Sequence, residues 1–359
     1  MLRSCVRWGA GALAAAAMMT GLQSGAFAFN FSDNSSDTWA GDVNAIALPE
    51  GTFLAIDYFG YRHGDAYITT PNNLLAKLGG GHTIPSTAEA FTDITRLVYF
   101  TSLLGRPLVL EAALPFAKVD TLNIGNFPTV QPNGFGPQTV ADGFADPVLF
   151  FSYGLIVEPR MERFLALTNF FYLPYGRDFD KFSAFNTSTP RQFTWVPQVE
   201  YAEGLGKFAP GLKNFWIDVI ANASIHTDGD APFAAAPGIQ FDRLTQENSY
   251  NLKAFLRYQF NQLSHIAVGV EKSWGGEQTA LGGVLGATPG SNPFALGPTS
   301  FGKDDYLKGH LQVTYPIMRD LQVGADITHD FERSGGIRED ITAEVRVTKF
   351  FIPAQEPMK

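Results

Sequence analysis

The stretch Ile341-Thr342-Ala343-Glu344-Val345-Arg346-Val347-Thr348-Lys349-Phe350-Phe351 alternates apolar and polar residues almost without a break. Successive side chains of a β-strand point to opposite faces, so this stretch predicts a strand with one apolar and one polar face. A strand that separates lipid from a wet lumen has that character. Similar stretches recur back to about residue 52, and the pattern therefore predicts a transmembrane β-barrel.

The N-terminus has the features of a secretory signal peptide. Arg3 and Arg7 flank the start of a short apolar run, and Ala26-Phe27-Ala28 forms an A-x-A cleavage site. The run is too short to cross a bilayer as a helix. We therefore expect residues 1–28 to be removed after Ala28, and we expect the exported chain to reach the outer membrane of a Gram-negative bacterium.

Composition excludes several classes of protein. The single cysteine, Cys5, lies inside the predicted signal peptide, so thiol catalysis, cysteine-based metal sites and disulfides are not expected in the exported chain. No later segment has the roughly 18 continuous apolar residues of a transmembrane helix. The formal net charge of −9 argues against nucleic acid as a partner, because nucleic acid selects basic surfaces.

Twelve strands are predicted from the alternation and the turn residues between them. Their approximate ranges are 52–63, 91–104, 107–121, 146–157, 162–175, 193–205, 214–227, 248–260, 265–279, 304–318, 320–332 and 337–351. The connections are alternately short and mostly long, as in outer-membrane barrels with short periplasmic turns and long extracellular loops. A soluble β-sandwich or propeller has no reason to sort its loops in this way.

The predicted fold class is therefore all-β, an antiparallel up-and-down barrel of about twelve strands spanning 52–351. A periplasmic N-terminal segment at 29–51 and a C-terminal tail at 352–359 would flank it. The N-terminal segment either enters the lumen as a small plug or is disordered.

Charged and polar side chains cluster on the predicted inner face of the barrel. A charge at the lipid midplane costs about 2–4 kcal/mol, whereas inside it can pair or be hydrated. The residues predicted to line the channel are Glu111, Asp218, Lys253, Arg257, Glu271, Lys308, His310, Asp326, Glu344 and Arg346. Asp57 and Glu200 are assigned to the same face, while Asp93 and Arg96 fall on opposite faces and leave 91–104 ambiguous. The sequence leaves two roles open for these residues: structural ion pairs across the lumen and a direct role in transport.

Three short motifs border predicted strands: Leu48-Pro49-Glu50-Gly51-Thr52, Gly143-Phe144-Ala145-Asp146-Pro147 and Leu173-Pro174-Tyr175-Gly176. Together they resemble a family of outer-membrane transporters of the meta-pathway of phenol degradation. The resemblance implies an outer-membrane channel, in some members associated with the degradation of aromatic compounds. Its expected partners are outer-membrane lipid, a small-molecule solute and the barrel-assembly machinery.

The pair Asp146 and Pro147 is the part of this motif with a physical interpretation. The family often has Gly-x-Gly-Asp-Pro, whereas here Phe144 and Ala145 precede the aspartate. We interpret Asp146-Pro147 as a turn into a strand, because proline fits the first residue of a strand. Ligand binding is the alternative.

No catalytic site emerges from the sequence. The histidines at 63, 82, 226, 265, 310 and 329 are scattered, and none lies in a serine–histidine arrangement expected of a catalytic rim. We expect no cofactor, no metal and no enzymatic activity. The predicted function is a channel for passive uptake of small, hydrophobic or aromatic solutes; the alternatives are a non-conducting structural or surface-interaction barrel and, least favoured, a surface enzyme.

Overall fold

A computed structural model of the chain describes most of the predicted barrel. The described residues are 38–68, 83–124, 141–144, 146–175, 193–229, 233–236, 239–261, 263–285, 294–303 and 305–353. The predicted signal peptide, His82 and all but two residues of the predicted C-terminal tail lie outside these ranges.

Twelve antiparallel strands form a closed ring. They are β1 (Phe53–Ile68), β2 (Thr83–Leu103), β3 (Arg106–Ile124), β4 (Val148–Glu158), β5 (Arg163–Tyr172), β6 (Thr194–Gly204), β7 (Phe215–His226), β8 (Ser249–Asn261), β9 (Ser264–Gly275), β10 (Tyr306–Met318), β11 (Leu321–Arg333) and β12 (Gly336–Phe351). Each strand pairs with the next along the chain, and β12 pairs with β1. The predicted fold class and strand number are confirmed. The largest difference is that β1 and β2 run several residues further than predicted at the end where they are joined by 69–82.

Shorter elements complete the described chain. Helices of the 3-10 type span Asp42–Ala47, Pro159–Met161, Leu205–Lys207 and Pro210–Leu212. Strand Ala141–Phe144 pairs with β3; Phe294–Leu296, Gly283–Leu285, Ile239–Phe241 and Phe233–Ala236 form one small sheet, and Arg243–Gln246, Gln278–Leu281 and Thr299–Gly302 form another. No helix in the described part of the chain is long and apolar enough to cross a membrane.

The two ends of the barrel differ in their connections. At the end that we call the short-turn end, brief connections join β2 to β3, β4 to β5, β6 to β7, β8 to β9 and β10 to β11. Between β2 and β3, Leu104 and Gly105 have φ of 53° and 76°. Two successive residues with positive φ give the two-residue hairpin whose twist matches that of the flanking strands. The opposite end, which carries nearly all the longer connections, is the long-loop end.

The outer face of the barrel is apolar. Leu256, Val268 and Leu311 lie side by side on β8, β9 and β10, with 45%, 54% and 47% of their surface exposed. Large apolar side chains at this exposure are costly in water but favourable in lipid. The outer face therefore matches the lipid-facing surface that the sequence predicts.

A charge placed in this apolar belt is expected to destabilise the barrel in a membrane. Replacing Val268 with arginine should lower the free energy of unfolding from lipid vesicles by about 2–4 kcal/mol, since the guanidinium would lie among lipid chains. The measurement is denaturant-induced unfolding in vesicles, with Val268→Leu as the control. Equal stability of the arginine and leucine variants would show that this face does not contact lipid.

The residues that precede β1 occupy part of the barrel interior. We call residues 38–52 the lumen segment; its 3-10 helix contacts β3, β4, β5 and β6. Trp39, Val43 and Ile46 are buried, and the rings of Trp39 and Tyr58 on β1 pack in an edge-to-face arrangement with 6.4 Å between their centroids. The described part of the segment predicted to be periplasmic therefore lies within the barrel.

This arrangement corrects the predicted orientation of Asp57. Leu54, Ile56 and Tyr58 are buried and belong to the same apolar cluster as Trp39. Because side chains alternate along β1, Asp57 lies on the outer face. The prediction failed because it assumed that apolar residues of a strand face lipid, whereas here they face the lumen segment. The same reasoning resolves β2, where Arg96 faces inward and Asp93 is exposed on the outer face.

Candidate functional site

The ten predicted lining residues all lie on the inner face of the barrel, most of them buried. They divide into a network toward the long-loop end, a set of contacts that holds the lumen segment, and one ion pair beside a cavity. What these residues do for a solute remains a prediction.

The network toward the long-loop end is centred on Glu271 and His310. His310 Nε2 lies 2.8 Å from Glu271 Oε2, and His310 Nδ1 lies 3.0 Å from Asp326 Oδ2. Lys253 Nζ is 3.8 Å from the same Glu271 oxygen. These side chains come from neighbouring strands, β8 to β11, where alternation brings them to one face.

Lys308 extends this network to the last strand. Its Nζ lies 3.2 Å from Glu339 Oε2 and 3.9 Å from Asp330 Oδ1. Arg333 also pairs with Asp330, at 3.1 Å, and Arg62 pairs with Glu339 at the same distance. Because each acid has a nearby base, this wall is polar while its charges are balanced.

Side chains on two strands, β10 and β12, hold the lumen segment. Arg346 Nη1 of β12 donates to Asp42 Oδ1 at 2.7 Å, and its guanidinium lies 4.3 Å from the centre of the Trp39 ring. Trp39 Nε1 donates to Glu344 Oε1 at 2.9 Å, and Gln312 Oε1 accepts the backbone N–H of Ala40 at 3.0 Å. Buried polar groups of the segment thus find partners on the barrel wall.

Arg257 forms a further contact with the segment from β8. Its Nε and Nη2 donate to the two oxygens of Asp218 at 2.8 and 3.1 Å, and it lies 4.8 Å from the centre of the Trp216 ring. Gly41 has φ of 83° and packs on this guanidinium, since a Cβ there would lie 3.1 Å from Arg257 Cζ. Glycine meets both the backbone and the space requirement.

A cavity of about 100 Å³ lies between the lumen segment and the wall formed by β1 to β6, β11 and β12. We call it the lumen cavity. Its lining is largely apolar and includes Ile46, Val98, Phe100, Val109, Ala166 and Phe170. Polar groups enter it at a few points, among them the pair formed by Arg96 and Glu111, with 2.5 Å between Arg96 Nη2 and Glu111 Oε2.

A larger cavity of about 580 Å³ lies at the short-turn end, below the lumen segment. Lys213, Asn214, Gln259 and Asn261 line it together with Arg257. This cavity is thus larger and more polar than the lumen cavity.

Asp146 and Pro147 lie where the pairing of β3 changes register. Ala113 pairs with Val148 and Phe116 pairs with Phe144, so the register of the pairing shifts by one residue between these two positions. An extra residue on one strand makes a β-bulge, and proline is tolerated there because it lacks an N–H. The geometry fits the turn interpretation; a role in ligand binding stays untested.

Sequence reasoning missed the residues that the lumen segment brings to the site. The sequence analysis gave Trp39 and Asp42 no role, because it did not decide whether the segment enters the lumen. The apolar residues Trp39, Val43 and Ile46 are the signal in the sequence that favours a buried position. Glu200 was assigned to the inner face but not to the predicted lining set.

The chain was compared with known protein families and solved structures, and the COG4313 channel below shares its architecture. Residues 75–335 match the family described as "Putative MetA-pathway of phenol degradation". No curated protein matches the sequence. The crystal structure of the COG4313 outer membrane channel from Pseudomonas putida F1 aligns with a TM-score of 0.65 at 19% identity, over 88% of this chain and 100% of that one. The Pseudomonas putida toluene transporter TodX gives a TM-score of 0.40 at 10% identity, over 91% and 96%.

Proposed function

This chain belongs to the MetA-pathway phenol-degradation family, and from that premise we propose that it is an outer-membrane channel for passive uptake of small apolar or aromatic solutes. The predicted export signal and the apolar outer belt support a location in the outer membrane of a Gram-negative bacterium. The short-turn end would face the periplasm and the long-loop end the outside. The barrel-assembly machinery would insert the chain, and outer-membrane lipid would surround it.

The lumen cavity is the observation that carries the proposal. Small-molecule sites are concave and mostly apolar, with a few placed polar groups, and this cavity has that composition. A dry cavity of about 150 Å³ holds benzene, so the cavity of about 100 Å³ would take a single ring only if the lumen segment shifted. We propose that a solute passes from the long-loop end through this cavity to the larger cavity at the short-turn end.

The first test is conductance in planar bilayers. We expect discrete conductance steps from the purified, folded protein, and we expect a one-ring alcohol such as benzyl alcohol to block them. In the variant Ala166→Phe the new ring would fill the lumen cavity on the proposed route, so the conductance steps themselves should be largely lost. Ala112→Phe, on the outer face, is the matched control.

A non-conducting barrel is the second candidate, favoured by the lumen segment and by the balanced ion pairs that fill part of the interior. A verified folded protein that gives no conductance steps would support it and would contradict the channel.

A further inference from the structure

His310 lies between two carboxylates of the network toward the long-loop end. Its Nε2 is 2.8 Å from Glu271 Oε2, and its Nδ1 is 3.0 Å from Asp326 Oδ2. An ionised carboxylate only accepts hydrogen bonds, and a neutral imidazole has a single N–H, so the ring donates to both carboxylates only as an imidazolium. The His310 side chain is 5% exposed, which leaves little room for water to replace either partner. The geometry therefore gives His310 both ring protons and a positive charge.

A chain of hydrogen bonds connects His310 to the lumen segment. Asp326 Oδ2 also accepts from Gln312 Nε2 at 3.0 Å, and Gln312 Oε1 accepts the backbone N–H of Ala40 at 3.0 Å. The other oxygen, Asp326 Oδ1, is buried and has no hydrogen-bond partner among the described residues. In that part of the chain His310 is also the one cationic side chain within ion-pair distance of Asp326. The position of Asp326, and through it that of Gln312, therefore depends on His310.

Asp326 also lies beside the second side chain that holds the segment. It pairs in register with Glu344 on β12, and Glu344 Oε1 accepts Trp39 Nε1 at 2.9 Å. Like charges directly opposite each other on neighbouring strands are destabilising. The positive charge of His310, in contact with Asp326, offsets this repulsion. Two contacts of the lumen segment, at Trp39 and at Ala40, thus depend on one imidazolium.

The other carboxylate beside His310 has further donors. Glu271 Oε1 accepts from Asn251 Nδ2 at 2.6 Å and from Tyr306 Oη at 2.8 Å, and Lys253 Nζ lies 3.8 Å from Glu271 Oε2. The remaining charged groups of the network are paired around Lys308, one row closer to the long-loop end: Asp330, Glu339, Arg62 and Arg333. Phe255 on β8 packs edge-to-face on the imidazole, with 5.4 Å between the ring centroids. Asp326 is therefore the carboxylate that is most exposed to a change in the charge of His310.

We propose that His310 is a pH-sensitive latch for the lumen segment. A neutral ring has one N–H for two carboxylates, so one of its lone pairs would face a carboxylate oxygen. The charge that offsets the repulsion between Asp326 and Glu344 is lost in the same step, whichever nitrogen keeps its proton. When the pH rises far enough to remove this proton, residues 38–40 should leave the wall. The release itself is independent of the proposed function, whereas its effect on conductance rests on it.

Thiol labelling of the folded full-length exported protein measures the release. Ala40 is fully buried, and Cys5, the one cysteine of the sequence, lies in the predicted signal peptide, so Ala40→Cys reports whether residue 40 is covered. Leu104→Cys, at a position that is 90% exposed, corrects for the pH dependence of the thiol itself. We expect the corrected labelling rate with a methanethiosulfonate reagent to rise about tenfold or more from about pH 6 to about pH 9.5, because a buried charge-assisted hydrogen bond is lost.

Three variants, each combined with Ala40→Cys, test the mechanism. His310→Gln has no charge at any pH, so its labelling should be fast throughout and independent of pH. Gln312→Met keeps the length of the side chain but removes the link to Ala40, and it should behave in the same way. His226→Gln is the matched control, because His226 on β7 bonds to Thr194 and lies outside the network; it should keep the wild-type profile.

Gel mobility before and after heating verifies that each variant folds, and the wild-type pH scan decides the question even if His310→Gln fails to fold. A corrected labelling rate of Ala40→Cys that is constant across the scan would overturn the latch, and so would an equal rise with pH in folded His310→Gln. Conductance of the same samples tests the channel separately. Labelling that follows the predicted profile, without conductance steps at any pH, would support the latch and contradict the proposed function.

Discussion

Deletion of residues 38–47 is expected to raise single-channel conductance on the order of tenfold, because a twelve-stranded barrel is wider than the eight-stranded barrels that side chains fill. The deleted residues include Trp39, Val43 and Ile46, which are buried between opposite parts of the wall. Their removal would join the lumen cavity to the larger cavity at the short-turn end. Conductance in planar bilayers measures the effect directly.

Two controls accompany the deletion. Substituting residues 38–47 by a glycine–serine stretch of equal length keeps the chain but removes its apolar packing, so it should raise conductance as well. Gel mobility before and after heating shows whether each variant folds. Folded variants with wild-type conductance would mean that the lumen segment does not limit the pore.

The second large effect is expected from Arg257→Met. Arg257 and Asp218 are each 1% exposed, and the variant would leave the aspartate buried without its cation. Breaking a buried pair on one side costs about 3–5 kcal/mol, so we expect a loss of that size in the free energy of unfolding. Denaturant-induced unfolding in vesicles measures it.

A double variant and a surface variant make this result specific. Adding Asp218→Asn to Arg257→Met should recover most of the loss, because no unpaired charge then remains. Arg163→Met breaks the exposed pair with Glu158 and should leave the free energy of unfolding close to that of wild type. Equal losses from Arg163→Met and Arg257→Met would contradict a special role for the buried pair.

The barrel could be predicted because the sequence patterns that specify it lie within single strands and the connections between them. The alternation in Ile341 to Phe351 and the alternation of short and long connections can both be read directly from the sequence. The structure has β12 at Gly336–Phe351, as that alternation predicts. On β8, polar Asn251, Lys253 and Arg257 alternate with apolar residues, so the face assignment also followed.

The face of β1 and the lumen cavity could not be predicted in the same way. Leu54, Ile56 and Tyr58 are buried because the lumen segment packs on them. The assumption that the apolar face of a barrel strand meets lipid cannot detect this contact. Likewise Ser152, Thr168 and Glu200 come from the neighbouring strands β4, β5 and β6, and only the register of these strands brings them together. Alternation gives the face of each residue but not its partners in space.

The most direct test of the channel is uptake by cells. The measurement is the initial rate at which radiolabelled benzyl alcohol, at low concentration, enters cells that produce wild type, Ala166→Phe or Ala112→Phe in equal amounts in the outer membrane. The account predicts fast uptake with wild type and Ala112→Phe, and a rate near that of cells without the protein for Ala166→Phe. Equal rates in all four kinds of cell would contradict a channel through the lumen.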